Sequence, residues 1–76
     1  MSQLIDEVRQ ARGLPRPALA RAIREAAHVS QTRLAAELHV HRLTVARWES
    51  GERTPQGAQR AAYAGLLASL QEASAS

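Results

Sequence analysis

Residues 29–51, which read VSQTRLAAELHVHRLTVARWESG, decide the fold of this chain. Ser30 is a residue type that caps helix N-termini, and Val29 precedes Leu34 by five residues, the spacing of a hydrophobic staple. A helix is therefore predicted from Gln31 onward. Three of its residues are expected to face the core: Leu34, Ala35 and Leu38.

A second helix is predicted after a very short connection. Val40 and Val45 repeat the staple spacing on either side of His41. This helix therefore begins at His41 and runs to about Glu49, and Gly51 ends it. Because only two residues separate the two helices, they are expected to cross at a steep angle.

Three further helices are predicted on the two sides of this pair. Their ranges are 3–12, about 17–27, and from Thr54-Pro55 to about residue 71. The helix over 17–27 is expected to bury one apolar stripe, formed by Leu19, Ala22, Ile23 and Ala26. The last carries Tyr63, Leu66, Leu67 and Leu70 along one side.

With 76 residues and no cysteine, the chain has room for one small domain. We predict an N-terminal extra helix and joint over 1–15, the main domain over 16–71, and a frayed tail over 72–76. The lack of cysteine excludes a disulfide scaffold and favours a cytoplasmic, nucleoid-associated location. No apolar run is long enough for a membrane span, and the N-terminus is too acidic for a signal peptide.

The positive charge is concentrated in the middle of the sequence. The formal net charge is +3, yet residues 16–48 alone carry six arginines against Glu25 and Glu37, together with all three histidines. All ten basic residues are arginine. This distribution is typical of a protein that binds a polyanion.

The stretch from Leu19 to Pro55 resembles the Cro/cI-type (XRE-family) helix-turn-helix domain. The matching residues are Ile23-Arg24, Val29-Ser30-Gln31, Leu34-Ala35, Leu38, Val40, Val45, Trp48-Glu49 and Gly51. The resemblance implies an all-α, five-helix, lambda-repressor-like domain. It also implies that the helix over 41–49 enters the major groove of a double-stranded DNA operator.

Four residues on one face of that helix are the expected base-reading set: Arg42, Leu43, Ala46 and Arg47. At about 100° per residue, Val45 and Trp48 lie on the opposite, core-facing side. The arginine fork matches O6 and N7 of guanine, and a leucine can contact a thymine methyl group. The alternative for these arginines is an ordinary solvated helix face.

A second set is expected to contact DNA phosphates: Gln31, Arg33, His41, Ser50 and Arg53. Gln31 and Arg33 open a helix whose N-terminal N–H groups favour anions, and the resemblance implies the phosphate role of Gln31. Ser50 and Arg53 come directly after the DNA-reading helix. The alternative for Gln31 is an exposed first-turn residue without a DNA contact.

The resemblance also implies a salt bridge between Arg24 and Glu49, which would orient the DNA-reading helix without touching a base. We therefore expect Glu49→Ala to lower stability first and DNA binding only as a consequence. His28 and His39 stand where the family usually has glycine, at helix ends that often need a left-handed backbone. His41 replaces the usual Ser or Thr cap, which predicts a weaker cap.

No cofactor or metal is predicted, because the histidines lack cysteine partners and helical i, i+4 spacing. A histidine facing DNA would instead strengthen binding at acidic pH. An enzyme is excluded by a single aspartate, no cysteine and no glycine-rich phosphate loop. A protein-interaction module without DNA binding is the alternative from another class.

The expected function is a small transcriptional repressor of phage, plasmid or bacterial type. An antitoxin that represses its own operon and a phage excision or integration factor are alternatives, with a toxin or a recombinase as partner. The family commonly binds two half-sites as a homodimer. The last-helix face over 63–70 is the preferred dimer surface, and the helix over 3–12 is expected to complete the core.

Overall fold

The computed structural model describes residues 13–75, which form four helices and no strand. These helices are α1 (Pro17–Ala26), α2 (Gln31–Leu38), α3 (Arg42–Ser50) and α4 (Gly57–Ala75). The predicted all-α fold is confirmed. The helix predicted over residues 3–12 lies outside the described residues, so the structure shows four of the five expected helices.

Helix α1 begins with Pro17, whose missing N–H is harmless in a first turn. It buries Ala20, Ile23 and Arg24, whereas Leu19 is 51% exposed. Ile23 is buried as predicted, but Leu19, Ala22 and Ala26 are exposed, so the buried face is rotated by one residue from the predicted stripe. The reason is that an arginine occupies an inward position, so hydrophobicity alone points to the neighbouring face.

Both short connections around α2 contain a histidine with a left-handed backbone. His28, which follows α1, has φ 59°, and His39, which ends α2, has φ 58°. This confirms the left-handed conformation expected at the two positions. Ser30 caps α2 as predicted, because its hydroxyl oxygen accepts a hydrogen bond from the Arg33 backbone N–H at 3.0 Å.

Helix α4 differs from its predicted range at both ends. It begins at Gly57, and its first turn includes a bond from the Arg60 N–H to the Gln56 carbonyl at 3.3 Å. Pro55 lies before the helix and is buried. The helix continues to Ala75, so the expected end at residue 71 was wrong. Alanine is the best helix former, and Ala73 and Ala75 favour this extra turn.

The core lies between α4 and the other three helices. Its fully buried side chains include Leu34 from α2, Val45 from α3 and Leu67 from α4. Trp48 and Tyr63 pack with ring centroids 4.8 Å apart and planes tilted by 37°, which joins α3 to α4. One face of α3 is thereby held against the core. Among the described residues, no helix combines the length and apolar character that crossing a bilayer requires.

Candidate nucleic-acid interface

Helix α3 presents two chemically different faces. Val45, Trp48 and Glu49 are buried, whereas Arg42 and Arg47 are exposed. Of the remaining two expected base readers, Leu43 is 41% exposed and Ala46 is half-buried. The exposed face of α3 therefore carries one apolar side chain, Leu43, together with two cationic ones.

The N-terminus of α3 is capped by a histidine. The Nδ1 atom of His41 accepts a hydrogen bond from the Leu43 backbone N–H at 3.0 Å. The weaker cap expected from histidine is therefore a formed cap with a ring nitrogen as acceptor. Only a neutral imidazole offers this acceptor, because both nitrogens of a protonated ring are donors. Protonation for a stronger DNA contact would thus remove the cap.

A buried ion pair lies directly behind the exposed face of α3. Arg24 Nε donates to Glu49 Oε2 at 2.7 Å, and Arg24 Nη2 donates to Glu49 Oε1 at 3.0 Å. The side chains are 10% and 3% exposed. Arg24 Nη1 also donates to the Val29 carbonyl at 2.8 Å, so three of its nitrogens are bonded. The bond to Glu49 raises the pKa of the Arg24 guanidinium above its ordinary value.

Gln31 links this ion pair to the exposed face. Its Nε2 donates to Glu49 Oε1 at 3.0 Å, and its Oε1 accepts from Arg42 Nη1 at 3.2 Å. Gln31 was expected to contact a phosphate, and this bridge was not predicted. One feature of the sequence could have indicated this contact. Gln31 and Arg42 are the first residues of two consecutive helices in one helix-turn-helix.

The C-terminal end of α3 is held by bonds near the surface. Ser50 Oγ donates to the Arg47 carbonyl at 3.0 Å and accepts from the Glu52 N–H at 3.3 Å. The Arg53 N–H also donates to the Arg47 carbonyl, at 3.2 Å. Ser50, expected to contact phosphate, therefore uses its hydroxyl to close the helix end.

Arg47 and Arg53 lie on one cavity beside α3, which has a volume of about 270 Å³. Thr44 and Thr54 also line it, and the sequence analysis missed both threonines. Arg47 Nε lies 3.7 Å from Glu52 Oε2, and both side chains are largely exposed. Two arginines and two threonines around an open cavity are residue types that can bind an anion.

Arg33 lies apart from this surface, on a different groove. That groove has a volume of about 510 Å³ and separates α2 from α4. Its lining comprises His28, Val29, Ser30, Arg33, Leu34, Glu37, Leu66 and Leu70. The structure thus places Gln31 with Arg42, Arg53 with Arg47, and Arg33 with Leu66 and Leu70. No group of three potential metal-ligating side chains occurs between residues 13 and 75.

Comparison with known proteins identifies one family. The family model described as helix-turn-helix matches residues 21–59, about half of the chain. This span contains all of α2 and α3, most of α1 and the first residues of α4. Neither the curated proteins nor the solved structures yield a significant match.

Proposed function

The chain belongs to the Cro/cI-type (XRE) family of helix-turn-helix proteins, which are DNA-binding transcription regulators, and we propose that it is a sequence-specific repressor. The observation that carries this proposal is the division of α3. Its Val45 and Trp48 are buried, while Arg42 and Arg47 are exposed. The major groove admits a helix of this kind.

Arg42, Leu43, Ala46 and Arg47 are the proposed base-reading residues. Arg42 begins α3, and the N-terminal residues of a recognition helix are those that contact base edges. Leu43 supplies an apolar contact for a thymine methyl group, and the small side chain of Ala46 lets the helix approach the bases closely. Arg47 exchanges its weak contact with Glu52 for a guanine.

Phosphate contacts are proposed for residues flanking α3. Arg53 is supported best, because it is exposed and shares a cavity with Arg47 and two threonines. Gln31 keeps one N–H of Nε2 for a phosphate after bonding Glu49. His41 donates from Nε2 while Nδ1 caps the helix. Ser50 contacts phosphate only if it releases the Arg47 carbonyl, and Arg33 requires a DNA path that reaches the α2–α4 groove.

We further propose a homodimer on two half-sites about 10 bp apart. Leu66 and Leu70 of α4 are half-buried and pack only partly against the core, which supports this face as the dimer surface. The alternatives are an antitoxin that represses its own operon, with a toxin as partner, and a phage excision or integration factor, with a recombinase as partner. A short toxin-like gene or a recombinase gene beside the coding sequence distinguishes the two partners.

The test is selection from a randomised duplex library with purified protein, at low and at near-physiological salt. A two-fold-symmetric motif that survives the higher salt supports a dimeric regulator. Retention at low salt without any motif means phosphate attraction alone and contradicts the proposal. Arg21→Ala is the matched control for the variants Arg42→Ala and Arg47→Ala, because Arg21 is an exposed arginine on α1 that pairs with Glu25 at 3.5 Å. It should leave the selected motif unchanged.

A further inference from the structure

The amide of Gln31 lies between two groups that fix its orientation. A carboxylate only accepts hydrogen bonds and a guanidinium only donates them. Glu49 therefore requires the amide nitrogen on its side, at 3.0 Å, and Arg42 requires the amide oxygen, at 3.2 Å. If the amide were turned over, oxygen would face oxygen and nitrogen would face nitrogen.

Glu49 is itself firmly placed. Its side chain is 3% exposed, and both of its oxygens accept bonds from Arg24. Arg24 is anchored in turn by the Val29 carbonyl at 2.8 Å, in the connection to α2. The acceptor that orients Gln31 is thus attached to α1, α3 and the connection between α1 and α2.

Arg42 receives the other end of this chain of bonds. One N–H of its Nη1 is directed to Gln31 Oε1, and its four remaining N–H groups are available for a base. A long exposed side chain ordinarily loses rotamer freedom when it binds. Here part of that ordering is already present in the free protein, at the first residue of α3.

We propose that the buried Glu49 is a positioning residue for base selection, acting through the Gln31 amide to hold Arg42 for a guanine. This inference rests on the proposed function, since it presumes that Arg42 reads a base. It assigns Glu49 a role in specificity beyond the stabilising role expected from sequence. No contact between Glu49 and DNA is required.

The first test variant is Glu49→Gln, which replaces an acceptor-only group by an amide. The oxygen of the new amide accepts from Arg24 Nε, and its NH₂, in the place of Oε1, faces Gln31 and loses the bond from Arg24 Nη2. Gln31 then turns over to accept this bond and presents its own NH₂ to Arg42, which releases the guanidinium. We expect preference for guanine to fall about tenfold at one base pair of each half-site.

The measurement uses the duplex selected by the wild-type protein and duplexes with each base pair changed singly. Binding is measured at a temperature where each variant is fully folded by circular dichroism. Ile23→Val is the control for lowered stability, because it trims the core without touching the bond chain. It should keep the wild-type base preference.

The second test is the exchange of the two residues, Gln31→Glu with Glu49→Gln. The carboxylate at position 31 accepts from the amide at position 49 and from Arg42, so guanine preference should return. Thermal stability should stay reduced, because Arg24 has lost its two-oxygen partner. A purely structural role of Glu49 does not produce this separation of specificity from stability.

A third variant, Gln31→Met, breaks the link while leaving the Arg24–Glu49 pair intact. It should lose guanine preference at the same base pair as Glu49→Gln. In an Arg42→Ala background, Glu49→Gln should cause no further loss of preference at that position.

The inference is overturned if folded Glu49→Gln keeps the wild-type preference, or if the exchange variant remains as unselective as the single variant. A wild-type protein that selects no motif overturns the proposed function and this inference together. A wild-type motif that Glu49→Gln leaves unchanged overturns only the inference.

Discussion

At its N-terminal end, α3 carries Arg42 bonded to Gln31, whose amide is bonded to a carboxylate that is 3% exposed. At its C-terminal end, Arg47 lies 3.7 Å from Glu52, and both groups are open to solvent. The side chain of Arg42 is therefore partly ordered in the free protein, whereas that of Arg47 has only an exposed contact. Under the proposed function, only Arg42 links base selection to the buried pair that stabilises the fold.

The largest expected effect comes from breaking the buried pair. Glu49→Ala leaves Arg24 buried without its partner, which should lower the free energy of unfolding by about 3–5 kcal/mol. A domain of this size has little more than that in total. Urea denaturation followed by the fluorescence of Trp48, the single tryptophan, measures the loss.

Glu52→Ala is the matched variant for the exposed contact of Arg47. It removes an exposed pair and should change stability by at most ~1 kcal/mol. Equal losses for Glu49→Ala and Glu52→Ala would contradict the contrast between the buried pair and the exposed one.

The second effect concerns Tyr63, which packs against Trp48 beneath the C-terminal half of α3. Burial raises the pKa of its phenol to about 12, from an ordinary value of 10.0. Stability is therefore unaffected below pH 10 and falls as the pH rises toward 12, by roughly 2–3 kcal/mol. The chain has no lysine, no cysteine and one tyrosine, so few other groups titrate in this range.

Tyr63→Phe should abolish this alkaline loss. The hydroxyl has no hydrogen-bond partner among the described residues, so its removal should cost little at neutral pH. Melting curves of both proteins between pH 8 and 12 test this, with phenolate absorbance as a direct readout. An unchanged alkaline loss in Tyr63→Phe would assign the effect to another group.

The third effect is on base preference. Arg42→Ala and Arg47→Ala should each relax the selected motif at a defined base pair, by about 1–3 kcal/mol of discrimination. We expect the larger loss for Arg42, because its side chain is ordered in advance.

Arg53→Ala should instead weaken binding to all sequences alike and reduce the slope of log affinity against log salt concentration by about 1. A position-specific loss for Arg53→Ala would move it into the base-reading set.

The smallest effect is at the N-terminal cap of α3. His41→Ala removes the acceptor for the Leu43 N–H and should destabilise the domain by about 1 kcal/mol, whereas His41→Ser should retain the cap.

His39→Gly is the contrasting variant. It relieves a left-handed backbone at φ 58° and should stabilise the domain by about 1 kcal/mol. Thermal melts at neutral pH compare the three proteins.

Local chemistry made much of this structure predictable. Ser30 caps α2 through a bond to a residue three positions on, and the left-handed His28 and His39 follow from the geometry of helix ends. Val45 and Trp48 face the core as the helical period requires. Each of these features depends on residues within a few positions.

The predictions failed where distant residues intervene. Hydrophobic periodicity misplaced the buried stripe on α1, because Arg24 faces inward to pair with Glu49, 25 positions later. The family resemblance implied that pair, and the periodicity did not. The bridge from Gln31 joins residues 18 and 11 positions apart, and no periodicity relates them. Arg33 lines a groove with Leu66 and Leu70 of α4, more than 30 positions later, whereas the bonds of Ser50 are local and join it to residues two and three positions away.

The sequence by itself determined the helices of the motif, their caps and the arginine-rich face of α3, because hydrogen bonds and helical periods act over a few residues. The tertiary structure decided which of those arginines is held in place. A carboxylate orients an amide only when the fold brings side chains from α1, α2 and α3 within hydrogen-bonding distance, about 3 Å, at one point. That proximity arises from packing the whole core, because the three side chains come from residues 24, 31 and 49.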